Sequence, residues 1–171
     1  MQQLHPRAIW LFFFNNVVLG AGAFLALAFA CVGFVLARAD DGVAFDFALP
    51  IMLVVFAAVV YLLAAYGWAL LTVRFYRYEL REDGFRKEHG VIWKKYITIP
   101  YDRIQNVDIH RGILARLLGL SDLQIQTAGA ITAGSYGAFS EGRLPGIDRA
   151  LAEEIRDQLV ARVRGGTTQG L

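Results

Sequence analysis

Apolar positions in this chain follow two rules, one for each part. No charged residue occurs between Arg7 and Arg38, nor between Asp46 and Arg74. Each run exceeds the roughly 20 apolar residues of helix that cross a bilayer core, which predicts two spanning helices over about residues 9–33 and 48–72. From Arg74 the period shortens to two: Tyr76, Tyr78 and Leu80 alternate with Arg77 and Glu79, and residues 85–89 return as a second strand. Between them, Glu82-Asp83-Gly84 reads as a hairpin turn in which Gly84 takes a positive φ. A third strand over residues 93–99 is stopped by Pro100, which has no N–H for a ladder. After a turn at Tyr101-Asp102-Arg103, Val107 and Ile109 oppose Asn106, Asp108 and His110 in a fourth strand, and Leu123, Ile125 and Thr127 form one face of a fifth. Leu114, Leu117 and Leu118 have helical spacing, which predicts a short plug under the sheet. Residues 130–137 read as a loop or hairpin and 138–144 as a last strand, broken at Pro145-Gly146. Asp148 then caps an amphipathic helix carrying Leu151, Ile155, Leu159 and Val163. Gly165-Gly166 is expected to end it and leave a disordered tail over 166–171.

The fold class expected is therefore membrane α plus β: a hairpin of two transmembrane helices over residues 1–73, then an antiparallel β sandwich or barrel with a C-terminal α-helix over 74–165. Composition agrees, since 56% of the 171 residues are hydrophobic, too apolar for an ordinary soluble domain of this size. A cleaved signal peptide has an apolar core of only about 7–15 residues, so the N-terminus is expected to stay. Charge adds an orientation. Arg38, Asp40, Asp41 and Asp46 leave the inter-helix loop acidic, whereas Arg7 precedes the first run and Arg74, Arg77 and Arg81 follow the second. By the positive-inside rule both termini face the cytoplasm, and Trp10, Tyr66 and Trp68 would share that interface.

Chemistry is sparse. Asn15 and Asn16 within the first span are expected to join helices, and Gly22, Ala26 and Ala30 make a smooth stripe for the second span. The lone Cys31 supports neither an internal disulfide nor a metal site. His89 and His110 lack metal-ligand spacing and read as surface or partner-contact residues. The glycines of residues 129–135 have the spacing of a phosphate loop but no lysine follows, and neither span holds an ionisable residue that would mark an ion path. The chain is expected to be no enzyme, with no catalytic residue, no cofactor, no metal and no nucleic-acid partner.

Taken together, Gly-Val-Ile-Trp-Lys-Lys, then Ile-Pro-Tyr-Asp-Arg-Ile-Gln-Asn-Val, then Ala-Arg-Leu-Leu-Gly-Leu-Ser-Asp-Leu-Gln-Ile-Gln-Thr-Ala-Gly resemble the bacterial pleckstrin-homology-like (PH) domain of small two-span membrane proteins, as does the Leu-His-Pro start. The resemblance implies a PH-like sandwich closed by a C-terminal helix, in a multi-pass protein of a prokaryotic cell membrane, with no established enzymatic activity. Eukaryotic PH domains that grip phosphoinositides cluster basic residues at the first hairpin, and here Glu82 and Asp83 occupy its tip, which argues against that ligand. Ile92 and Trp93, followed by Lys94 and Lys95, admit two readings: an apolar wedge with cations for anionic lipid, or, preferred, the inward-packed start of the third strand. The function expected is a membrane-anchored interaction module. Its contact residues would be Ile92, Trp93, Lys94, Lys95, Tyr96 and His110, on a polar sheet face extended by Thr98, Asn106 and Asp108. Its partners would be membrane lipids and a membrane protein or peptide. The alternative is a homo-oligomeric assembly or pore built on the small-residue stripe.

Overall fold

The computed structural model describes residues 1–39, 48–127 and 142–168. Its chain divides into two compact units, Phe12–Leu70 and a β unit made of Met1–Leu11 with Leu71–Leu171.

The helical unit consists of most of α1 (Ala8–Ala39) and α2 (Ala48–Phe75). Ala8–Phe34 and Ala48–Phe75 are long and apolar enough to cross a membrane. Both helices outrun the expected ends. In α2 the turn at Val73 to Tyr76 is still closed, by the Tyr76 N–H on the Val73 carbonyl, so strand pairing starts only at Arg77. At Gly20 the helices approach so closely that a methyl group there would stand 2.5 Å from Tyr61 Cζ. The Tyr61 hydroxyl donates to the Asn16 carbonyl (2.6 Å), and Phe13 meets Tyr66 edge-on with ring centroids 6.0 Å apart.

In the β unit, β1 (Gln2–Gln3), β2 (Arg77–Leu80), β3 (Gly84–His89) and β4 (Lys95–Pro100) form one antiparallel sheet in that order. A 3-10 turn at Tyr101–Arg103 leads to β5 (Ile104–His110), α3 (Ile113–Leu117), β6 (Leu120–Thr127) and β7 (Gly142–Asp148), whose strands form a second sheet in the order β5-β6-β7. The helix α4 (Arg149–Thr168) packs on that sheet. The inward positions read from the alternation hold at Tyr78, Ile99, Leu123 and Ile125, which are buried together with Phe85 and Leu144 and with Ile155 and Leu159 of α4. The sheets meet at Gly142, where a methyl group would lie 2.7 Å from both Ile99 Cδ1 and Ile125 Cβ. Asp148 caps α4 as expected, its carboxylate accepting the Ala150 N–H at 2.9 Å. Arg162 of α4 donates to the Arg81 carbonyl and to the Tyr101 hydroxyl, and Tyr101 donates to the same carbonyl, so one knot ties helix, corner and first hairpin together.

Several expectations are corrected. The lead-in over residues 1–7 belongs with the β unit: Gln2 and Gln3 pair with Tyr78 and Arg77, and Leu4 and Ala8 are buried. Gly84 has no positive φ; that conformation belongs to Gly90, Gly119 and Gly146. Glycine is required at 84 by close approach, since a methyl group there would stand 2.5 Å from the Ile99 carbonyl oxygen. Pro145-Gly146 does not break β7. Ser121 pairs with Ile147 and Leu123 with Leu144, so Pro145 and Gly146 oppose Asp122 alone in a bulge. Asp122 accepts the Gly146 N–H at 3.0 Å, and β7 is an edge strand where proline is tolerated. Gly165 and Gly166 fail to stop α4, which continues to Thr168. The readings of the inter-helix loop, of residues 129–141 and of the last three residues of the tail fall outside the described residues, and the last strand expected over 138–144 is described only from Gly142, running on to Asp148.

Candidate interaction surface

Gly90 makes the first surface feature. Its φ of 114° turns the chain out of β3, and a side chain there would collide with the Trp93 carbonyl. Residues 91–93 therefore bulge outward, and β4 begins only at Lys95. Ile92 is 69% exposed and Trp93 86% exposed, so the inward-packed strand start expected for them is overturned. Lys94 Nζ lies 3.8 Å from Glu88 and 5.9 Å from the centre of the Phe75 ring at the end of α2.

Along β4, Lys95, Tyr96 and Thr98 are exposed, and the Arg86 guanidinium lies 5.9 Å from the Tyr96 ring centre. Asn106, Asp108 and His110 do not continue this face, because they lie on β5 in the other sheet. Both strands show polar alternation, but Pro100 and the 3-10 turn between them carry the chain from one sheet to the other. Asp108 is already engaged there by Asn106 (2.9 Å) and Gln126 (3.3 Å), while His110 is exposed.

His89 is half-buried. Its ring stands 5.7 Å from that of Tyr76, and its buried Nδ1 has no hydrogen-bond partner among the described residues. Burial, then the neighbouring Lys87 and Lys95, hold its pKa below the ordinary histidine value of 6.5. Burial also raises the Tyr76 phenol well above its usual range; its hydroxyl donates to the Arg143 carbonyl, which Lys87 Nζ approaches at 3.5 Å. Lys87 is only 5% exposed. This polar interior helps hold β7 against the first sheet.

The first hairpin remains a poor phosphate grip. Glu82 and Asp83 are exposed at its tip, and Arg81 Nε is bound to Glu79 at 3.1 Å, a hydrogen bond that holds the Glu79 carboxyl below its usual range. Among the described residues no group of three or more His, Cys, Asp or Glu is placed to hold a metal ion.

The intramembrane residues are arranged differently from expectation. It is the main-chain carbonyl of Asn16 that meets α2, and Asn15 is exposed. Gly22, Ala26 and Ala30 face away from the helix contact, and a methyl group on Gly22 would meet nothing within 4 Å. Cys31 is half-buried. The stripe two residues out of phase, through Gly20 and Phe24, is the half-buried one, because Tyr61 needs a glycine opposite its ring.

The α3 helix is not the plug expected under the sheet. Only Ala115 is buried in it, while Ile113, Leu114 and Leu117 are exposed. A five-residue helix can bury one direction only, and the smallest residue occupies the close contact. That alanine among larger neighbours was the available signal.

Comparison with known proteins agrees with this architecture. The family model described as bacterial PH domain matches residues 16–163, which takes in most of α1, all of α2 and the β unit from Leu71 through most of α4. A UPF0699 transmembrane protein, YdbT, of Bacillus subtilis (strain 168) is 34% identical over 89 residues. That match covers 52% of this chain and 17% of the relative's length. No solved structure gives a significant match.

Proposed function

The chain belongs to the bacterial PH domain family, and from that premise we propose that it is a non-enzymatic, membrane-anchored interaction module. Its β domain stands at the cytoplasmic face and binds a protein partner there. The observation that carries this reading is β4, the terminal strand of its sheet among the described residues, with Lys95, Tyr96 and Thr98 exposed along it. A terminal strand can accept an extended peptide by backbone pairing, with neighbouring side chains supplying selectivity. Anchoring through α1 and α2 confines the search to the membrane plane and raises the partner's effective concentration. The cytoplasmic placement is supported by Arg7, Arg74, Arg77 and Arg81 at the outer ends of the apolar helices.

The test is a photo-crosslinking amino acid at Thr98 in the full chain, activated in native membranes. A discrete protein adduct absent when the probe is placed at Asp83 is the expected result. Adducts to lipid alone at Thr98 would overturn the reading.

A second reading, a homo-oligomeric assembly, is favoured by the exposed face of Gly22, Ala26 and Ala30, smooth enough for a second copy's helix. A detergent-solubilised mass of one chain plus micelle would disfavour it, and a defined higher oligomer would support it.

A further inference from the structure

Two exposed apolar features of the β unit have no role in partner binding along β4. In α3, Ile113 is 74% and Leu117 79% exposed, with Leu114 beside them. In the 91–93 bulge, Ile92 and Trp93 are the exposed pair. Contiguous exposed apolar groups of this kind mark a surface that is covered in use.

Both features carry cations and no acid. Arg116 is exposed on α3, and no Asp or Glu occurs between Asp108 and Asp122. Lys94 ends the bulge, half-exposed and 3.8 Å from Glu88, and no acid occurs between Glu88 and Asp102.

Both also lie where the β unit runs into the apolar helices. At Gly119, just after α3, a methyl group would stand 3.9 Å from Arg7 Nη1, immediately before α1 begins. Lys94 lies against Phe75, the last residue of α2. With Trp10 and Trp68 at the interface, Arg7 stands about 4.5 Å of helix rise beyond it and Phe75 about 10 Å. The headgroup layer adds about 5–8 Å to each side of the hydrocarbon core. Connectivity thus brings the start of α1, beside Gly119, into the headgroup layer and the end of α2, beside Lys94, to its outer edge, a gap that long side chains such as Trp93 and Lys94 can span to reach the boundary where amphipathic elements bury their apolar side.

We propose that α3 and the 91–94 bulge form one lipid-contact face, with Ile92, Trp93, Ile113 and Leu117 as apolar anchors and Lys94 and Arg116 as contacts to anionic headgroups, which lays the β domain on the leaflet that its own helices enter. The occupant is an anionic lipid surface. A protein would have to insert between the domain and the membrane at the points where the chain itself passes from one to the other. This face holds the domain's orientation and leaves the β4 edge free for a partner. The inference rests on the membrane-anchored part of the function proposed above and not on partner binding.

The experiment uses the full chain carrying Cys31→Ser, with a nitroxide on a single cysteine introduced by Ile92→Cys, Ile113→Cys, Leu117→Cys or, as a water-exposed reference, Asp83→Cys. Each variant is placed in nanodiscs containing phosphatidylglycerol, and collision with oxygen and with a water-soluble nickel chelate is measured. Labels at 92, 113 and 117 are expected to be several-fold less accessible to nickel, relative to oxygen, than the label at 83. Adding Lys94→Glu with Arg116→Glu should return position 117 toward the reference in phosphatidylglycerol but change little in phosphatidylcholine. Equal accessibility at all four positions would overturn the proposal. So would shielding seen in native membranes but not in nanodiscs, because that would identify a protein occupant. Failure of the Thr98 crosslink leaves this result untouched, so the two readings fail separately.

Discussion

At the scale of single residues, glycines and one histidine decide most of the β unit's local geometry. Gly84 is an ordinary extended residue whose missing side chain lets β3 run against β4. Gly84→Ala would drive a methyl group into the Ile99 carbonyl, and backbone on both sides leaves little room to relax. It should cost about 2 kcal/mol, read as a lower thermal midpoint of the purified chain; an unchanged midpoint would mean that the strands separate freely. His89 supplies a pH dependence. Its folded pKa lies below the unfolded value of 6.5, so as pH falls the unfolded chain takes up the proton first. The stability due to neutral His89 is complete above about pH 6.5 and declines as pH falls from there toward the lower folded pKa. Between pH 7.5 and 5.5 the wild-type chain should therefore lose more stability than His89→Gln, in thermal unfolding followed by near-ultraviolet circular dichroism.

At the scale of elements, β1 is the one that periodicity had no means to find. Two residues carry no period, and the four that follow, Leu4-His5-Pro6-Arg7, show no strand alternation. In the structure Leu4 is buried in the β unit, and the two paired residues before it extend the first sheet. Leu4→Ala should cost about 2–3 kcal/mol and raise the rate at which protease cuts the β unit, although the site is more than seventy residues from that unit's second strand in sequence. An unaltered cleavage rate would show that the N-terminal strand is only loosely attached. The α4 helix shows the opposite case. Its cap at Asp148 and its apolar positions at Ile155 and Leu159 were readable because each depends on neighbours within one or two turns. Its extension through Gly165 and Gly166 was not, since the local glycine penalty of about 1 kcal/mol each is outweighed once the preceding turns are docked.

At the scale of the whole molecule, the charges flanking the apolar helices imply a topology with its own test. A cysteine introduced by Asp41→Cys, in a Cys31→Ser background, should react with an impermeant maleimide added to intact cells. One introduced by Asp83→Cys should react only after the inner face is opened. The reverse pattern would place the β domain outside and remove both the partner and the lipid-contact proposals.

Periodicity and charge, which depend on neighbouring residues alone, determined the two apolar helices, five of the strands and the amphipathic final helix, while the motif residues themselves carried the resemblance to the PH-like family. Long-range packing decided the rest. The assignment of β4 and β5 to different sheets separates Tyr96 and Thr98 from Asn106 and His110, although all show the same alternation. The outward turn of Trp93 follows from Gly90, and the outward face of α3 from the tight fit of Ala115, and both depend on what the surrounding chain leaves room for. Alternation tells which residues share a face, because side chains on a strand point to opposite sides in turn. Whether that face meets a core, water or a membrane is set by the elements that fold against it.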